Sequence, residues 1–471
     1  MGRGSGPGGA PEDVQSGKGP DEGGFRPDSQ CYGRVTGGKH LRDAAEVYCV
    51  SPTGIVETCQ PKVRLGLFTN TQIQMLRLSP SRNISALTLL VAGLMSPLGA
   101  APDARTLQAE AVKERSLKDR YENLGLLHKD ANHPWLQELW VLGRYHGHHH
   151  DSEGSHGDDA GYESRRVRLG FQATMFRDLT LHAQAISGSD FEPAYNGFTE
   201  LWARWHFTDA VNLTVGQQKH RFTHDRNVSS RYMSFMERSM FTNMIGLDYT
   251  PAVTLSGRIE KLDYYTGFFS NATGRDMGSA FTELHSGSTF LAAGTYDLGT
   301  FLGADSAQFY GSYLHTELGS GATNLTRFDS AVSGALILTE GSAALVTELT
   351  AGFGGQLGDA VGLNVQPSYF LTDTLEVVGR FQLAKSSHGN GLRAQRRYES
   401  RAGLLDGDSY QAVTLGLNRY IAGHRLKLMT SVEYAKMNDR DVFTFFAGFR
   451  MFFGPHSNAP FPGNKTLKGR W

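Results

Sequence analysis

Between Lys219 and Arg238 the chain places Lys219, Arg221, Arg226, Arg231 and Arg238, with His220 and His224 among them and only Asp225 and Glu237 opposing. The planar fork of a guanidinium binds two oxygens of one oxyanion, whereas an ammonium acts as a point charge. Lys219, Arg221, Arg226 and Arg231 are therefore candidate ligands for an anion, and Arg238 reads as a structural partner of the nearby acids. The competing reading is an exposed basic loop that meets lipopolysaccharide phosphates.

A second cluster runs from Tyr145 to Asp159. His146, His148, His149, His150 and His156 stand there among Asp151, Glu153, Asp158 and Asp159. Imidazole and carboxylate suit Zn²⁺, Cu²⁺ or Ni²⁺, although the spacing fixes no tetrahedral set. The five histidines are candidate metal ligands, and the bland alternative is a solvated loop. No Ser/His/acid triad or acidic pair is legible, so the sequence argues for no enzyme and calls for no cofactor.

Strands must hold these residues. From Trp135 to Phe453 apolar and polar residues alternate in stretches of about ten, separated by turn residues, and alternation of period two means a strand with one oily face. In the last stretch Phe443, Phe445, Ala447, Phe449, Met451 and Phe453 share one face. Sixteen strands are predicted, near 136–148, 163–176, 178–189, 197–207, 210–219, 240–250, 252–266, 283–297, 306–317, 329–339, 342–353, 360–371, 374–386, 408–421, 424–437 and 441–453. Tight turns at Arg177-Asp178, Thr208-Asp209, Thr250-Pro251, Thr372-Asp373 and Ala422-Gly423 alternate with long links at 149–162, 219–239, 267–282 and 387–407. The pattern predicts an all-β, antiparallel transmembrane β-barrel. Its first and last strands should pair, because an open edge in lipid leaves backbone groups without partners.

Alternation also assigns the wall. Arg166, Arg168, Arg204, Arg258, Arg380, Arg425, Lys427 and Arg450 fall on the water-facing side, against Glu200, Glu260, Glu376 and Glu433. A narrow pore lined by one sign of charge concentrates the opposite ion. The lumen therefore leans towards anions, with structural Arg–Glu pairing as the alternative.

A mean hydropathy of −0.34 is too polar for a bundle of membrane helices. The formal charge of −1 says nothing about nucleic acid, and with no basic run of the kind that tracks a phosphate backbone that class of partner is set aside. Cys31, Cys49 and Cys59 all precede residue 100, which suits a chain that crosses an oxidising compartment. Residues 1–74 are low-complexity at the start and read as a non-native or disordered extension. Met75 then opens a secretory signal over 75–100, with Arg77 and Arg82, an apolar run from Ile84 to Met95, and cleavage near Ala100. Residues 101–134 predict a short periplasmic helical segment, 135–453 the barrel and 454–471 a tail.

Three segments carry a family resemblance. ESRRVRLGFQATMFRDLTLHAQ (163–184), VGQQKHRF (215–222) with MSFMERSM (233–240), and the stretch 396–434 together resemble the phosphate-selective porin O/P family in order and spacing. The resemblance implies a sixteen-stranded outer-membrane barrel, usually a homotrimer, that passes anions and in some members prefers phosphate or polyphosphate. It matches Lys219 to the family lysine and Glu237-Arg238 to its Glu-Arg pair. It also implies that the third long loop folds inward. Phe452-Phe453 resembles the aromatic end read by barrel-insertion machinery, although a tail follows it here. The expected function is a passive water-filled channel for anions, phosphate first. The alternatives are a porin for general or organic solutes and, further off, an enzyme built on a barrel.

Overall fold

The computed structural model describes residues 121–246, 248–271, 276–282, 287–318, 327–355 and 357–455, and the backbone of 48–50 and 56–58. Tyr48–Val50 and Val56–Thr58 pair as a small antiparallel ladder in a unit of its own. The expected extension, signal segment and most of the helical segment and tail lie outside the described residues.

Sixteen antiparallel strands close into a barrel. They are β1 (Leu136–Gly154), β2 (Gly157–Met175), β3 (Leu179–Ile186), β4 (Phe198–Thr208), β5 (Val211–Lys219), β6 (Tyr249–Ile259), β7 (Leu262–Ser270) and β8 (Gly287–Phe301). Then follow β9 (Ala304–Leu318), β10 (Ser330–Glu340), β11 (Ala343–Phe353), β12 (Ala360–Thr372), β13 (Leu375–Ser386), β14 (Ser409–Tyr420), β15 (Leu426–Met437) and β16 (Arg440–Phe453). Each pairs with its neighbour in sequence, and β16 closes on β1 from Val442 opposite Gly154 to Phe453 opposite Gly143.

The two faces differ as the alternation predicts. On β2, Leu169 and Phe171 are 58% and 54% exposed, while Arg168 and Gln172 on either side of them are buried. On β14, Val413 and Leu415 face outward and Thr414 and Asn418 inward. A girdle of exposed apolar side chains around a polar interior is a wall built for lipid.

The ring has a seam. β16 ends opposite Gly143, so the lower edge of β1 needs another partner. A short strand, Leu126–Lys129, fills it by pairing with Trp140, Leu139 and Glu138. Gly454 N–H donates to Leu124 O and Val141 N–H to Gly125 O, which stitches the segments flanking β1 and β16 to the same place. The segment expected to be helical is therefore strand over 126–129, with helix only at Tyr121 and Glu122 among its described residues.

Three further expectations are corrected. Thr250-Pro251 is no turn: both residues lie in β6, opposite Gln218 and Gln217 of β5. A proline lacks the N–H that a ladder uses, but on the β7 side pairing stops at Ala252 opposite Phe269. The real turn is Glu260-Lys261, between β6 and β7. The strand expected at 240–250 begins as a helix, Met240–Ile245. Its buried Met240, Phe241, Met244 and Ile245 recur at helical spacing. Finally, the expected loop at 149–162 is mostly ladder, because β1 and β2 run on to a turn at Ser155-His156. Polar residues suit both faces of a hairpin that outreaches the membrane, so the hydrophobic alternation fades there although the strand continues.

Candidate functional site

The link from β5 to β6, residues 220–248, folds into the barrel and is gripped from the opposite arc of the wall. Glu348 of β11 accepts from the N–H groups of His224 and Asp225. These open a one-turn helix, His224–Asn227, whose first turn is capped by Thr223 Oγ1 accepting from Arg226 N at 3.0 Å. Gln382 of β13 accepts from Met240 N at 2.7 Å, and Asn418 of β14 donates to Ser234 O at 3.0 Å. Lys427 Nζ donates to Met233 O at 2.6 Å. Arg450 Nη1 donates to Ser230 O and Met233 O at 3.2 Å, and its Nη2 donates to Phe235 O and Met236 O at 2.6 Å. Arg380 Nη1 donates to Glu237 O at 2.7 Å while its Nη2 meets Glu433 at 3.0 Å. A loop whose carbonyls are held by wall cations stays folded inward, because each held carbonyl would otherwise lie buried without a donor.

The inward fold leaves a cavity of about 300 Å³ against β1–β5. Its wall includes Lys219, Arg221, Arg226 and Arg231, and with them Arg166, Arg168 and Arg204. Four further cations line it that alternation and loop reading did not select: Arg144, Arg165, Arg238 and Arg397. Among the described residues that line it two are acids, Glu200 and Asp248, while Glu237, Asp225 and Glu163 pair with Arg165, Arg166, Arg238 and Arg397 from outside the lining. Two like charges 4 Å apart repel by about 4 kcal/mol at the effective dielectric of a protein surface. Such a wall sets up a positive field that attracts anions.

Aromatic rings hold several of these cations apart. Arg168 and Arg226 both lie over Tyr249, at 5.3 and 5.7 Å, and Arg168 donates to its hydroxyl at 3.0 Å. Arg204 lies 4.6 Å over Trp202, which stacks on His182. Ring faces attract cations without consuming their N–H donors. Accordingly, Arg144 Nε, Arg168 Nε, Arg226 Nε, Arg231 Nε and Arg166 Nη1 are buried with no partner among the described residues. Glu237 anchors one edge. Burial pushes its carboxyl up, but the Arg165 and Arg166 guanidiniums outweigh this and hold it well below the usual carboxylate range. Burial lowers Arg238 to about 10, against the pull of Asp225.

The structure divides the eight wall cations. Arg166, Arg168 and Arg204 join the cavity. Arg380, Lys427 and Arg450 hold the loop, and Arg258 pairs with Asp263 across the β6–β7 turn. Arg425 donates to Gly454 O at 3.0 Å and Glu122 O at 2.9 Å, at the seam. Among the cations outside the sequence reading, Arg144 was legible, since it shares the buried face of β1 with His146. Arg165 was not. A bulge between Ser164 and Arg166 turns it inward, against strict alternation.

The histidines are dispersed by the strand. His146, His148 and His150 face the interior, and His149 faces out. His150 pairs with Asp159 at 2.8 Å, and His156 sits in the turn beside Ser155. Among the described residues, no group of three His, Cys, Asp or Glu side chains is placed to hold a metal ion.

Residues 143–326 match the family described as phosphate-selective porin O and P. No curated protein matches this sequence. Among solved structures, OprB of Pseudomonas putida superimposes with a TM-score of 0.50 at 12% identity, covering 67% of this chain and 94% of that one. The anion-selective porin of Comamonas acidovorans does so with a TM-score of 0.47 at 11% identity, covering 67% and 99%. At 12% identity the likeness to OprB speaks to fold alone. The closed sixteen-stranded barrel gives this chain the fold of the porins, and its residues 143–326 are similar to the phosphate-selective porin O and P family.

Proposed function

We propose that the protein forms a passive channel for inorganic anions, with phosphate or polyphosphate preferred, and that Lys219, Arg221, Arg226 and Arg231 form its filter with Arg166, Arg168 and Arg204. One observation carries this reading: a cavity under the inward loop lined by ten arginines and a lysine against two acids. Arginine favours oxyanions over chloride because its fork meets two oxygens together. The guanidinium nitrogens left without partners supply donors for them. The likeness to a family described as phosphate-selective points the same way. With it we propose a homotrimer, and insertion of the barrel by machinery that reads the Phe452-Phe453 strand.

A second reading is a general anion porin. It is favoured by the share of wall cations spent on pairing and on loop carbonyls, Arg258, Arg380, Lys427 and Arg450. Single-channel current in potassium chloride, titrated with phosphate, separates the two. Block at low phosphate supports a binding site, and unchanged current up to high phosphate leaves only the general pore.

A further inference from the structure

The cavity is walled by more than the inward loop. The last long link, residues 387–408 between β13 and β14, also folds down: Leu392, Ala394, Gln395, Tyr398, Glu399 and Leu404 are buried. It reaches the cavity through Arg397, which pairs with Glu163 of β2. It reaches the inward loop through Gln395, whose Nε2 donates to Arg238 O at 2.8 Å and whose Oε1 accepts from Asn243 Nδ2 at 2.8 Å. Arg238 is itself a cavity residue.

Resting on the channel reading above, we propose that this link is a second, movable wall of the constriction, with Arg397 touching the anion and Gln395 and Glu399 as positioning residues that clasp it to the inward loop. Glu399 is the key of the clasp. Its Oε2 accepts from Gln395 N at 2.7 Å, which shapes the turn presenting Gln395. Its Oε1 accepts from Tyr410 of β14 at 2.7 Å. Around it stand Tyr398 of the same link, Glu433 of β15 and Arg380 of β13. Tyr398 donates to Glu433 Oε1 at 2.7 Å, and Thr414 and Arg380 hold Glu433 Oε2. Arg380 is thus committed to Glu433 and to the carbonyl of Glu237, so the ionised Glu399 faces a second buried carboxylate without an ion-pair partner of its own. Burial and Glu433 together raise Glu399 to about 8.

The sign follows from linkage. In the seated link the carboxyl keeps its proton up to about pH 8, whereas released into water it loses it near 4.5. Seating is therefore favoured at low pH and weakens by up to about tenfold per pH unit across that window, then levels off.

The test uses the full-length protein in planar bilayers and chloride, which does not titrate. Open-channel noise and time spent in enlarged substates should rise from pH 6.5 to 8, above the range in which the histidines of the inward loop titrate, and flatten beyond. Glu399→Gln should stay at the low-pH level throughout, and Gln395→Ala should be noisy at every pH. Tyr410→Phe removes a donor to the carboxylate and should extend the rise beyond pH 8, which serves if Glu399→Gln fails to insert. Arg397→Ala should raise the phosphate needed for half-block several-fold without moving the pH curve. A flat wild-type profile, or Glu399→Gln tracking wild type, overturns the clasp. Unchanged block in Arg397→Ala removes the link from the wall. Absence of phosphate block in wild type defeats the channel's phosphate preference instead, and leaves the chloride noise to judge the clasp.

Discussion

Arg450 offers the sharpest test of how the constriction is held. It is 2% exposed, and its two terminal nitrogens meet the carbonyls of Ser230, Met233, Phe235 and Met236. In Arg450→Met the side chain keeps much of its bulk but loses every donor. Met233 O retains Lys427 Nζ. Ser230 O, Phe235 O and Met236 O lose the donor that held them. A buried acceptor without a partner costs roughly 1–3 kcal/mol, and the lower figure applies because lumen water reaches a loosened loop. Three such losses come to about 3 kcal/mol, or about two powers of ten in the equilibrium between seated and released loop. Bilayer recordings should show larger, noisier channels and a weaker phosphate block. Limited proteolysis should cut within 228–238 at protease levels that spare wild type. Arg450→Lys, with one donor group in place of a fork, should fall between. Wild-type conductance, block and protease resistance in Arg450→Met would refute the claim that wall cations position this loop.

Other outcomes follow from the same geometry. Arg221→Ala with Arg226→Ala should lower anion-over-cation permeability, read as a smaller reversal potential in a salt gradient; an unchanged reversal potential removes both from the filter. Glu348→Gln keeps the shape but puts an NH2 donor where one of the two oxygens accepts from the N–H groups of His224 and Asp225, and should raise proteolysis near Arg226 several-fold; resistance equal to wild type would show that this anchor does not hold the loop. Burial lowers His220 and His224 to about 4, so both stay neutral in the seated loop while a released loop takes up protons near pH 6.5. The unseated form binds more protons between those values, so the loop should loosen as pH falls from 6.5 towards 4, seen as faster amide exchange over 220–228. Exchange that is flat over that range would contradict it.

The sequence by itself determined the wall. Strand number, the closed ring and the oily outer face follow from a period-two pattern, because each lipid-facing position must be apolar and each backbone group must find a partner strand. The cations Arg166, Arg168 and Arg204, and the basic run from Lys219 to Arg231, were legible for the same reason: charge on the inner face survives only in contact with water. Tertiary structure alone decided which cations share a site. Arg380 and Arg450 obey the same alternation as Arg166, yet they grip carbonyls of a loop more than a hundred residues away. Arg165 breaks the alternation through a bulge. Arg397 reaches the cavity because its link packs back into the barrel. Alternation fixes only which face of the wall a side chain takes, and what it meets on the inner face is set by loops whose folding rests on contacts between residues far apart in the chain.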